Sequence, residues 1–153
     1  MDSLDEVSAL LRSLGASLGV ELQLETVGAC GLCVDDRLEI TLRYEPSPPA
    51  LLAYSAVGDL PVGSAEELLR ALLEANHVWE ESRGATWSLY DDGVVLSRLF
   101  PLPGLESDTL AAELAAFVEV ALAGQQVLRS SQSAERTEAA AAVPALPPGA
   151  IAP

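Results

Sequence analysis

Apolar residues recur along this chain with two periods, and each switch of period marks a new element. From Ser3 to Leu18 the positions Leu4, Val7, Leu10, Leu11, Leu14 and Leu18 share one helical face. Asp2, Asp5 and Glu6 put negative charge where the helix dipole favours it, and Ser3 with Glu6 has the spacing of a capping box. Gly15 and Gly19 weaken the last turn, so the helix is expected to end near Leu18. The period then becomes two: Val20, Leu22 and Leu24 alternate with Glu21, Gln23 and Glu25, which predicts a half-buried extended segment. Ala29 to Val34 reads as a strand. Arg37 to Glu45 alternates most cleanly, with Leu38, Ile40, Leu42 and Tyr44 toward a core and Arg37, Glu39, Thr41, Arg43 and Glu45 toward water. Pro46 to Pro49 cannot continue a ladder, so the chain turns and Leu51 to Val57 returns as a third strand.

The stretch from Ser64 to Leu102 reads as helix, turn and hairpin, and the rest of the chain is arranged around it. Ser64 and Glu67 form a second capping-box pair before a helix with apolar positions Ala65, Leu68, Leu69, Leu72 and Leu73, and Asn76 is its stop. Two strands follow, Ala85 to Tyr90 and Val94 to Phe100, joined at Asp91-Asp92-Gly93, where Gly93 is expected to supply the positive φ of a tight turn. A last helix runs from Ser107 or Asp108 to about Arg129 on the stripe Leu110, Leu114, Phe117, Val118, Ala121 and Leu128, diluted near its end by Gly124. The order α-β-β-β-α-β-β-α predicts an α+β fold, a twisted antiparallel sheet with helices packed on it. Residues 1–130 form the expected domain. Residues 131–153, rich in Ala and Pro, form an expected disordered tail, because few large side chains remain to offset the entropy of ordering.

Charge narrows the choice of partners. The 153-residue chain carries 23 acids against 8 bases, a net charge of −15, and all its bases are arginine. Nucleic acid and anionic membranes are held by basic surfaces, so neither is an expected partner. No uninterrupted apolar run is long enough to cross a bilayer, and Met1-Asp2-Ser3 has no secretory character, which points to the cytoplasm. Two cysteines are too few for a disulfide scaffold.

Candidate chemistry is thin. Cys30-Gly31-Leu32-Cys33 has the spacing of a redox dithiol or half a zinc site, yet strand alternation sends the two thiols to opposite faces, where they share neither a disulfide nor a metal. His77 is the one histidine, placed at a helix end with no nucleophile beside it, and the carboxylate pairs lie in turns or at helix starts. No catalytic residue, metal ligand or cofactor is therefore expected. Trp79 and Trp87 flank a short loop and read equally as core or as interface anchors.

The LLRALLEAN helix ending, then Gly84-Ala85-Thr86 opening a strand and Leu96-Ser97-Arg98 in the next, together resemble the class I type III secretion chaperones, the Tir-chaperone family. The small size, the acidity, the N-terminal leucine helix and the element order are similar too, over about residues 3 to 130. That resemblance implies a cytoplasmic homodimer, not an enzyme, that binds the N-terminal chaperone-binding region of one or more effectors and delivers it to the export ATPase. It implies a dimer interface at Leu68, Leu69, Leu72, Leu73, Trp79 and Trp87, and effector-binding patches at Val7, Leu10, Leu11, Leu14, Leu38, Ile40 and Leu42. Binding would be physical: an extended segment adds to a sheet edge and sets apolar side chains in grooves. Two alternatives stand beside this reading. One keeps the fold as a regulatory adaptor that sequesters another secretion factor; the other is a thiol-dependent enzyme using Cys30 and Cys33.

Overall fold

The alternation from Arg37 to Glu45 is realised in a strand whose Leu38, Ile40 and Leu42 are at most 2% exposed while Glu39 and Arg43 face water. The computed structural model describes residues 3–77 and 79–142. In chain order the elements are α1 (Ser3–Leu18), β1 (Ala29–Val34), β2 (Leu38–Pro46), β3 (Pro49–Asp59), α2 (Ala65–His77), α3 (Trp79–Ser82), β4 (Thr86–Tyr90), β5 (Gly93–Pro101) and α4 (Ser107–Ala142). The five strands form one antiparallel sheet in the order β1-β2-β3-β5-β4. This is the α+β architecture expected, with edges at β1 and β4.

Helices α1 and α4 cover one face. Val7, Leu11 and Leu14 of α1 and Leu110, Phe117 and Ala121 of α4 are shut from solvent over Leu38, Ile40, Leu42, Leu51 and Leu96. Each such large side chain contributes roughly 1.5–3 kcal/mol by leaving water, which makes this seam the main source of stability. One arginine enters the same face: Arg98, in step with Leu96 and Phe100 on β5, pairs with Glu113 of α4 and lies 4.8 Å from the Phe100 ring centroid. The opposite face keeps Glu39, Arg43, Ala56 and Leu99 exposed.

The half-buried segment 20–25 joins no strand pairing, in keeping with its place outside the five expected strands: Gly19 turns the chain with φ 73°, the Val20 N–H donates to the Gly15 carbonyl at 2.9 Å, and Leu22 enters the core without a ladder partner. Several local expectations change. At the β4–β5 hairpin the positive φ falls on Asp91, at 51°, and not on Gly93, since aspartate tolerates that region where two residues make the loop. The β1–β2 hairpin does the same with Asp35 and Asp36, both at φ 53°.

Two helices also differ. The loop after α2 contains the single turn α3. Helix α4 runs on through Ala142, past the expected end near Arg129 and into the segment expected to be disordered. Alanine-rich sequence favours helix, and two tertiary bonds hold the extension: Gln132 Nε2 donates to the Asp59 carbonyl at 3.1 Å, and Glu135 Oε1 accepts from Ser64 Oγ at 3.0 Å. The remainder of the expected tail, 143–153, lies outside the described residues. By length and composition α4 would suffice to cross a bilayer, with a mean hydropathy of 1.3 in its most apolar window, so the expectation that nothing would holds for uninterrupted runs only. Its apolar stripe is spent on the sheet.

Candidate functional site

Helix α2 is amphipathic and yet has no buried residue. Leu68, Leu72 and Ala75 lean on the core and Leu69 is half-buried, while Leu73 is 68% exposed and Trp79, just beyond the helix, 76% exposed. An apolar face this incompletely covered is held by polar ties at its ends. At the start, Ser64 does not close the expected capping box with Glu67; its hydroxyl donates to Glu135 of α4, while the Leu68 N–H bonds the Ser64 carbonyl at 3.0 Å. At the other end, Asn76 Oδ1 accepts from the Trp87 N–H at 2.7 Å and Nδ2 donates to the Trp87 carbonyl at 2.9 Å.

Between α2 and α4 lies a groove of about 410 Å³, lined by Leu68, Leu72, Trp87, Val120, Val127 and Leu128 among others and flanked by the Arg83–Glu119 ion pair at 2.7 Å. The two tryptophans, equivalent in the sequence, take different places. Trp87 is only 8% exposed and its indole fits against Gly124, so it is anchored in the core at the floor of this groove. Trp79 is free. Of the expected interface set, the structure therefore brings Leu69, Leu73 and Trp79 toward the surface, keeps Leu68 and Leu72 half-covered, and withdraws Trp87.

The expected effector-binding set fares differently. Val7, Leu11, Leu14, Leu38, Ile40 and Leu42 are all at most 2% exposed, closed between α1, α4 and the sheet, and only Leu10 is partly accessible. These six side chains stabilise the chain itself and are closed to a partner in this conformation. The apolar surface near α1 is carried instead by Leu4, Leu18, Val20 and Val27, which are 43%, 49%, 45% and 78% exposed.

The cysteines lie as strand alternation predicts, Cys30 buried and Cys33 exposed, and both are free thiols. Burial pushes the Cys30 thiol above the usual range, partly offset by a backbone hydrogen bond from Gln23, and the nearby Glu25 charge raises it further. A thiol kept protonated is a poor nucleophile. Among the described residues no group of three or more His, Cys, Asp or Glu side chains is placed to hold a metal ion.

Two residues with defined roles escaped the reading of the sequence. Asn76 looked like a helix stop, and nothing in its surroundings signals a bond to a residue 11 positions away. Gly124 looked like a dilution of the helical pattern; a lone glycine inside such a pattern was nonetheless a signal of close packing.

The same fold occurs in solved structures. The chain resembles one in the ExsC–ExsE complex with TM-score 0.73 and 23% identity, covering 84% of this chain and 97% of that one. The HopA1–SchA chaperone–effector complex gives TM-score 0.68 and 20% identity, over 81% and 96%. The Yersinia pestis type III secretion chaperone SycH, solved with a fragment of YscM2, gives TM-score 0.63 and 21% identity, over 76% and 97%. At these identities the likeness is one of fold. No curated protein matches the chain. A family model adds what fold alone does not: it matches residues 9–123, from the middle of α1 to the part of α4 that covers the sheet, and the chain belongs to the Tir chaperone protein (CesT) family.

Proposed function

We propose that this protein is a type III secretion chaperone that binds the N-terminal segment of a secreted effector and keeps it extended, soluble and ready for export. The observation that carries this reading is the family match across residues 9–123. The structure supports it physically. The chain presents a sheet with strand edges, exposed apolar side chains on α2 and around α1, and a net charge of −15 that keeps a loaded complex dispersed. In this reading the protein works as a homodimer in the bacterial cytoplasm, hands its client to the export ATPase, and catalyses nothing.

Two copies would meet through α2, with Leu69, Leu73 and Trp79 as the anchors. Leu68 and Leu72 would line the seam from behind. Client contacts pass to the accessible residues Leu4, Leu10, Leu18 and Val20, with the buried six acting as the floor that holds α1 in place. Residues 1–130 form the chaperone domain, with the α4 extension bracing α2.

Co-expression with a secreted protein encoded beside this gene tests the reading. The expected result is a soluble complex formed with that protein's N-terminal segment alone and resistant to proteolysis only where the segment is bound. Binding that requires the partner's folded remainder, and ignores the N-terminal segment, would replace this reading with that of a regulatory adaptor.

A further inference from the structure

The linker from β3 to α2 is tied to its neighbours on both sides and yet holds an apolar side chain out to water. Leu60 packs against the core and Pro61 is buried, while Val62, the next residue, is 94% exposed. Several contacts fix the backbone around it. The Leu60 N–H donates to the Asp92 carbonyl in the β4–β5 turn at 2.8 Å. From the other side, Gln132 Nε2 donates to the Asp59 carbonyl, and Glu135 accepts from the Ser64 hydroxyl. Gly63 lies so near the same carboxylate that a Cβ would come within 2.9 Å of Glu135 Oε1. Gln132 and Glu135 belong to α4 beyond residue 123, where the family match ends, so this support is a feature of the present chain.

A single exposed valine is ordinary on a protein surface. Val62 is not single. With Ala65 and Tyr90, itself 77% exposed, it borders a hollow of about 710 Å³ whose rim also carries Asp59, Asp91 and Asp92. All three aspartates are exposed, and among the described residues none of them forms an ion pair. The hollow on the other side of Val62 is lined by Gln132, Glu135 and Arg136 and is mixed in charge, so the negative side is the one shared with Tyr90. Exposed apolar side chains beside uncompensated carboxylates are complementary to a surface on which an apolar side chain is flanked by lysine or arginine. The tethered backbone lowers the cost of binding, because the loop has little freedom left to lose.

We propose that the 59–65 linker and the β4–β5 turn together form a recognition site for a separate protein partner, one that presents an apolar side chain between basic residues to Val62 and Tyr90. The α4 extension is the splint that holds the loop in shape for it. Val62, Tyr90 and the three aspartates belong neither to the client contacts around α1 nor to the α2 seam between copies, so the site goes beyond the chaperone reading and does not rest on it.

Titration of the intact protein with a short synthetic peptide, a leucine flanked by arginines, followed by NMR, tests this. Amide shifts are expected in the linker and the β4–β5 turn, and not along α1 or at Leu73. Val62→Ser and Tyr90→Ser, at exposed positions that leave the fold intact, should each weaken binding by at least about fivefold. Peptides with glutamate in place of arginine, or alanine in place of leucine, should leave those amides unmoved. Gln132→Ala combined with Glu135→Ala removes the splint; the linker amides should then exchange faster with solvent and the peptide should bind several-fold more weakly. Shifts spread evenly over the acidic surface, an affinity indifferent to Val62, or no shift in the loop at millimolar peptide would overturn the proposal. So would a changed oligomeric state of Val62→Asp in sedimentation, which would make the loop a contact between copies, or protection of Val62 by a bound effector segment, which would make it part of the client site. Failure of any effector segment to co-purify would remove the chaperone reading and leave this titration untouched, so the two fail independently.

Discussion

Replacing Gly124 with alanine sets two opposed effects against each other, and the structure says which should win. Gly124 lies inside α4, where glycine costs about 1 kcal/mol relative to alanine, so on propensity alone the change stabilises. A Cβ at that position, however, would fall 3.1 Å from Trp87 Cζ2 and 3.2 Å from Cζ3, and closer still to Cη2. The indole is 8% exposed and fixed from behind by the β4 backbone that Asn76 holds, so it has little room to retreat. Overpacking of this kind costs about 1–3 kcal/mol, and the net expectation is a loss of up to about 2 kcal/mol. In a Trp87→Leu background the atoms in conflict are gone, and the same Gly124→Ala change should stabilise by about 1 kcal/mol. Urea unfolding followed by far-UV circular dichroism measures both, without depending on the tryptophan that is being replaced. The sign should reverse between backgrounds, a coupling of about 1–3 kcal/mol. A change equal in the two backgrounds to within about 0.5 kcal/mol would refute the packing argument.

Other outcomes are expected from the same geometry. Leu73→Asp places a charge on a residue already 68% exposed, so the fold should survive, with unchanged circular dichroism, while sedimentation equilibrium shows a dimer turned monomer; a persistent dimer would move the interface away from α2. Maleimide should label Cys33 rapidly and Cys30 only on unfolding. Because burial raises the Cys30 thiol in the folded state, its neutral form contributes stability fully below the ordinary thiol range, near about 8.5, and that contribution should fade as pH rises above it; denaturation midpoints that climb with pH there would contradict this. Glu135→Ala removes the acceptor for Ser64 at the start of α2 and should cost about 0.5–2 kcal/mol, read as a lower Tm; an unchanged Tm would mean the α4 extension does not brace that helix.

Much of the fold was legible because water leaves a periodic trace. Leu38, Ile40 and Leu42 alternate with charged residues since one face of β2 is packed and the other wet, and the leucines of α1 recur at helical spacing for the same reason. The element order and the sheet followed from those periods. Where the pattern misled, a non-local partner was decisive. Ser64 has the local chemistry of a capping box and gives its hydroxyl to a residue 71 positions later.

The candidate site was legible only in part, and for one physical reason. A stripe of leucines records that a face avoids water; it does not record what covers that face. By itself the sequence determined the strands, the helices, the acidity, the opposite faces of the two cysteines and the likeness to the family. Tertiary structure decided that Leu11 and Leu14 of α1 and Leu38 and Leu42 of β2 are closed within the chain while Leu73 and Trp79 are left outside it. It also decided that Trp87 is an anchor and that the Asn76 side chain bonds the β4 backbone at Trp87. Each of those outcomes depends on contacts between segments distant in the chain, where coverage is set by the packing of α4 and the order of the strands and not by any local run of residues.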